Sequence, residues 1–251
     1  MNGRIRPRVY ARAAGILYLI IIAFGIVQEV LIRGRIMVPR DAAATFANLQ
    51  NMEMLWRTGI ALEMLLLISN IVLAMILYVL TRPVQKELAM LALLFNVVAT
   101  AVEGAYTIQL VEALFPLGTN AYLSAFTPEQ LQAMTALAMK AHVFGFGIAL
   151  LLFGPFFLVT GYLIFQSGYL PRTIGILYQV AGVAYLFNSF VLVLAPRLAG
   201  GAFMIMAAPV FIGETSFALW LLIGRNALSR GDATKPTCHP ERSEGPGCEG
   251  G

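Results

Sequence analysis

Charge is what this chain has least of. Only 12% of its 251 residues are charged, against about 25% in an ordinary soluble domain. That shortage excludes a soluble enzyme, and with 59% apolar residues it excludes an unfolded chain as well. Cysteine is nearly missing too. Both copies, Cys238 and Cys248, fall in the last fourteen residues, so a disulfide-built secreted domain is excluded. Histidine occurs twice, at His142 and His239, which leaves no bis-histidine haem and no multi-histidine zinc site in the apolar part of the chain. There is no G-x-S-x-G elbow, no P-loop and no G-x-G-x-x-G after a strand, which excludes an ATP-driven pump built into this chain.

What is present is long apolar runs, and the mean hydropathy is +0.79. A membrane-crossing helix needs about 20 mostly apolar residues, because the hydrocarbon layer is about 30 Å thick. Six segments meet that length: Ala13–Ile32, Thr58–Leu80, Leu88–Phe115, Ala141–Phe165, Thr173–Ala195 and Ala202–Gly224. They are apolar all round rather than alternating, so they read as helices and not as strands of a barrel. The expected fold is an all-α polytopic transmembrane bundle of six spans occupying residues 1–224, with a disordered cytoplasmic tail over 225–251.

The +4 net charge does not point to nucleic acid, because the basic residues sit at the ends of apolar segments. Counting Lys and Arg on the two sides gives eleven on the side of the N-terminus and six opposite. That bias predicts an N-in/C-in protein of the bacterial cytoplasmic membrane, with the bilayer as its first partner. The apolar run of the first segment is too long for a signal peptide and no small-residue cleavage site follows, so it reads as an uncleaved helix.

Between spans, Asp41–Met52 reads as a short helix capped by Asp41 after Pro39. Thr127-Pro128-Glu129-Gln130 is a capping box with Pro at the first helical position, opening a helix that runs on into the fourth span. Residues 81–87 and 166–172 are tight connections, which makes the second and third spans, and the fourth and fifth, antiparallel neighbours. Arg12-x-x-Gly15-Ile16-Leu17-Tyr18 recurs as Arg172-x-x-Gly175-Ile176-Leu177-Tyr178. The plainer reading is two similar interface anchors, and the sharper one is a parallel repeat. Gly175, Gly182 and Ser189 form a stripe of small residues suited to close helix packing. The Cys238-His239…Cys248 pattern matches no zinc spacing. No cofactor and no metal is expected.

Four stretches together resemble a bacterial membrane family, domain of unknown function 4386. They are Ala11–Ile20, Val38–Thr45, Gly161–Arg172 and Phe211–Leu221. The likeness extends from about residue 10 to 224 and leaves the tail out. It implies a membrane protein of similar span count and carries no activity and no functional residue with it.

The informative side chains are the polar ones inside spans, where ionisable groups are costly and face a bundle interior or water. Glu63, Glu103 and Glu214 are the acids deepest in the apolar runs, accompanied by Asn70, Asn96, Asn188 and His142. The apolar runs themselves contain no Lys or Arg at depth, so the acids are expected to be protonated, hydrated or joined by a bound cation. Glu63 and Asn70 are seven apart and share a helix face, as do Asn96 and Glu103. Across a tight antiparallel turn the two Asn should lie at one depth and the two Glu at another. A Glu63–Glu103 pair sharing one proton is the expectation, with Arg57 as a competing partner for Glu63. Pro155 and Pro209 lie inside spans, and Pro209 precedes Glu214 by five residues. The pattern points to a proton-linked carrier or a binder of a small apolar or cationic molecule. The alternative is an accessory subunit whose polar groups only lock helices together. An enzyme is disfavoured, because no nucleophile–base pair is visible.

Overall fold

The computed structural model describes residues 7–223, and among them there is no strand. Helix α1 covers Pro7–Ile26 and continues through a π-helical turn, Val27–Arg33, into Gly34–Ile36. The short helix α2 is Ala42–Asn51, and α3 to α7 are Glu53–Thr81, Lys86–Glu112, Pro128–Gln166, Arg172–Leu194 and Ala199–Ile223. Six of these helices are long and apolar enough to cross a membrane. The expected tail at 225–251 lies outside the described residues.

The six long helices form a ring in which α1 packs on α3, α3 on α4, α4 on α5, α5 on α6, α6 on α7, and α7 back on α1. Gly15, near the start of α1, lies against Ala218 and Leu222 near the end of α7, so both described termini sit at one end of the bundle. That end carries the tight connections. The opposite end carries the longer segments 37–52 and 113–127.

The helix starts are written in the sequence. Asp41 accepts the Ala44 backbone N–H at 2.8 Å. Thr127 Oγ1 accepts the Gln130 N–H at 3.3 Å, and Gln130 Oε1 accepts the Thr127 N–H at 2.8 Å, which completes the reciprocal box. The helix it opens, α5, is 39 residues and about 58 Å long. Its first turns are held down by Thr135, whose hydroxyl donates to the Ala113 carbonyl at 3.1 Å.

Lipid tails are as apolar as leucine, so helix association rests on close packing rather than on water exclusion. The α5–α6 seam shows how this is done. A Cβ on Gly175 would lie 2.7 Å from the Gly161 carbonyl oxygen, and one on Gly182 would lie 2.8 Å from that of Gly154. Two glycines seven residues apart on each antiparallel helix thus face each other, and the backbones touch. The small-residue stripe on α6 therefore packs as its spacing suggested, against a second stripe on α5.

Buried apolar residues gather in two clusters. One, at the tight-turn end, includes Ala14, Tyr18, Leu77, Phe157, Tyr178 and Phe217. The other, at the long-segment end, includes Ile32, Ile36, Leu49, Trp56, Leu110 and Met139. Large apolar side chains such as Ile68, Val193 and Met204 are exposed on the outer faces, where a membrane helix meets lipid.

Candidate functional site

The π turn in α1 adds a residue to the helical repeat, and an inserted residue rotates all that follows by about 100° around the axis. Its signature is the Gly34 N–H bonded back to the Glu29 carbonyl. The turn presents Gln28, Glu29 and Arg33 to the bundle. Arg33 Nη1 donates to Glu29 Oε2 at 3.1 Å, and Arg33 Nη2 donates to Glu63 Oε2 on α3 at 3.2 Å. Glu63 is buried, with its side chain 6% exposed.

This corrects two expectations. The intramembrane acids do have a cation, because the first helix runs past Ile32 and carries Arg33 inward instead of releasing it to a loop. Arg57 is not the partner of Glu63 either; it donates to Glu53, one turn back, at 2.7 Å on the surface. Glu63 is thus balanced by a guanidinium where a shared proton was expected. Glu103 stays outside the ion pair, with Glu63 and Arg33 in coulombic reach.

Arg33 forms part of the wall of a cavity of about 250 Å³. At about 30 Å³ per water, that is room for roughly eight waters, or for one small molecule. The other polar lining groups are Glu29, His142 and Asn188. Trp56, Met139, Phe146 and Phe203 are among the apolar ones. His142 and Asn188 are 4% and 5% exposed. The His142 Nε2 has no hydrogen-bond partner, and its ring stands edge-on to Tyr106 at 4.8 Å. Tyr106 Oη and Gln28 Nε2 are likewise buried without partners. The cavity lies at the long-segment end, where α1, α3, α4, α5, α6 and α7 converge.

The two asparagines nearer the tight-turn end are arranged differently. Asn70 Nδ2 donates to Thr100 Oγ1 at 2.8 Å, and Thr100 Oγ1 donates to the Asn96 carbonyl at 2.9 Å. Asn70 therefore links α3 to α4 through Thr100, whose own hydroxyl hydrogen returns to the backbone of its helix. Glu214 forms a third arrangement. Tyr185 donates to its Oε1 at 3.0 Å. Tyr185 packs edge-on to Phe157, and Phe157 stacks on Tyr178 at 4.3 Å. Glu214 thus sits at the edge of an aromatic core, and Tyr185 is within coulombic reach of both Glu214 and Glu103.

The seven residues singled out in the sequence therefore divide. Glu63, Glu103, His142 and Asn188 gather toward the cavity end, Asn70 joins α3 to α4 through Thr100 with Asn96 one turn away, and Glu214 belongs to the aromatic core. Arg33, Trp56, Tyr106 and Tyr185 are further members that sequence reasoning missed. The Glu29-x-x-x-Arg33 spacing was a visible signal for Arg33, since residues four apart pair on a helix only while the helix continues. Among the described residues, no group of three His, Cys, Asp or Glu could hold a metal ion.

A family described as Domain of unknown function (DUF4386) matches residues 13–224. No curated protein and no solved structure matches the chain.

Proposed function

This chain belongs to the DUF4386 family, a multi-pass membrane protein by its six spans, and from that premise we propose that it binds a small molecule in the cavity that its six long helices line. Its setting is the bacterial cytoplasmic membrane, with the tight connections and both termini on the cytoplasmic side and the cavity at the opposite end. The basic bias of the tight-turn side supports that orientation.

One observation carries the binding reading over the accessory one. Polar groups that lock helices bond each other, as Asn70 and Thr100 do. The buried Nε2 of His142 has no such partner. A buried polar atom without a partner costs about 1–3 kcal/mol, and this one belongs to a residue in the wall of a hollow large enough for a ligand. Coupling of such a ligand to protons would run through the unpaired Glu103 and the Tyr185–Glu214 contact beside it.

The test is a thermal-shift screen of purified protein against metabolites and lipids at two pH values, run beside Gly200→Phe. Gly200 lines the cavity, and a Cβ there meets nothing within 4 Å, so the new ring enters open space. Stabilisation of the wild type that disappears in Gly200→Phe supports the cavity as the site. Ligands that stabilise both equally, or none that stabilises either, would remove it.

A further inference from the structure

We propose that the cavity selects an organic monocation: a primary ammonium attached to a small apolar body. The inference deepens the binding reading above and rests on it. It begins with the charge of the wall. Arg33 hydrogen-bonds two carboxylates, Glu29 and Glu63, with separate nitrogens. Such charge-assisted bonds are made by ionised acids. One positive charge therefore faces two carboxylates. The other cations near this end, Arg35, Arg40, Arg57, Lys140 and Arg197, are exposed and are not part of the cavity wall, so screening weakens their field inside.

The uncompensated charge is accessible. Glu29 lines the cavity, its side chain is 50% exposed, and Arg33 holds only its Oε2. The remaining oxygen can accept an ammonium N–H. His142 and Asn188, both more than nine-tenths buried, line the same hollow. An imidazole and an amide each carry an acceptor atom, which suits a donor-only head group.

The apolar wall suits the same ligand. Trp56, Phe146 and Phe203 line the cavity, and aromatic faces attract cations as well as covering an apolar body. An anion would meet Glu29 at the wall and would have to compete with two carboxylates for Arg33. The volume of about 250 Å³ admits one aromatic ring with a short chain.

Three probes with one apolar body separate the possibilities: 3-phenylpropylammonium, 3-phenylpropan-1-ol and 3-phenylpropanoate. Trp56 lines the cavity and Trp220 is the only other tryptophan, so a Trp220→Phe background makes fluorescence a report on Trp56. Thermal shift in parallel registers binding that leaves the indole unchanged. The ammonium is expected to bind at least about tenfold tighter than the other two at neutral pH. Glu29→Gln, at a half-exposed position that folding tolerates, is expected to bring the three within about twofold of one another. Tightest binding by the carboxylate, or equal binding by all three, overturns the cation inference and leaves the cavity reading standing. Absence of binding by all three in both measurements overturns both.

Discussion

The hydroxyls of Tyr18 and Tyr178 are hydrogen-bonded to each other at 2.7 Å inside the bundle. These are the equivalent positions of the repeated Arg-x-x-Gly-Ile-Leu-Tyr segment. Neither is an interface anchor, as the plainer reading of the repeat had it, because they are 4% and 0% exposed. The glycines of the two copies also act alike. Gly15 brings α1 onto α7, and Gly175 brings α6 onto α5. Two parallel helix starts thus use one local recipe: a glycine for close approach to an antiparallel neighbour, then a tyrosine one turn on for the shared core.

That contact can be measured. Tyr18→Phe and Tyr178→Phe are each expected to cost about 0.5–1.5 kcal/mol, the usual net value of one hydrogen bond. The double variant is expected to cost little more than either single one, since both remove the same bond. A double-mutant cycle on reversible unfolding in detergent checks this, and additive losses would mean the hydroxyls act independently.

Backbone contact at the α5–α6 seam predicts position-specific intolerance. Gly175→Ala must push against the Gly161 carbonyl and the Phe165 backbone. Overpacking of this kind costs about 1–3 kcal/mol. Gly25→Ala should do the opposite, because nothing lies within 4 Å of its Cβ and alanine favours helix by up to about 1 kcal/mol. Thermal unfolding of the two variants side by side gives the comparison. Equal effects would mean that the seam is loose.

The spans were legible because hydrophobic length is a direct physical requirement of the bilayer, and helix starts were legible because Asp41 and Thr127 act through local chemistry. The site was harder. Arg33 looked like a loop residue because an apolar run was taken to end where charge begins. A helix ends only where its backbone bonds end, and here a π turn carries it further. The partner of Glu63 was therefore sought in Glu103, with Arg57 as the competing one, while a cation arrives from thirty residues earlier, at Arg33. Tertiary convergence of this sort leaves no mark in spacing. Asn70 and Asn96 were placed at a common depth by counting, but counting could not reveal that Asn70 bonds Thr100, one turn from Asn96.

Two ion pairs of the long-segment end, Arg33–Glu63 and Arg57–Glu53, should differ sharply in weight. Arg33→Met leaves Glu63 buried with no counter-charge, a loss of about 3–5 kcal/mol for a buried pair broken on one side. Adding Glu63→Met should recover most of it. Arg57→Ala breaks a pair whose side chains are 55% and 43% exposed, and exposed pairs contribute at most about 1 kcal/mol. Unfolding curves of the four proteins decide the matter. A mild Arg33→Met phenotype would show that Glu63 finds another partner.

Outside the spans, one titration is predictable. Tyr169, in the turn between α5 and α6, donates to the Leu80 carbonyl at 2.6 Å, and burial pushes its phenol from about 10 up to about 12. An unfolded chain loses that proton near pH 10. The raised value therefore adds stability that is complete below pH 10 and is lost as pH climbs from 10 to 12. The stability gap between wild type and Tyr169→Phe should narrow over that window and stay constant from pH 6 to 9. A gap that does not narrow by pH 12 would mean the phenol is hydrated in the folded protein.

Orientation is tested by two cysteines at opposite ends of the ring. Asn120 lies among the long connecting segments and Gln85 in the tight turn before α4. With Cys238 and Cys248 first changed to Ser, intact cells carrying Asn120→Cys should react with a membrane-impermeant maleimide. Gln85→Cys should react only after the membrane is opened. The cavity reading is tied to this result. Arg33, Glu29 and Asn188 lie at the long-segment end, so labelling at position 120 places the mouth toward the outside, where a ligand is captured before it enters the cell. Labelling at position 85 alone would invert the molecule. The same cavity would then draw its ligand from the cytoplasm, and the basic side would face outward against the bias that governs insertion.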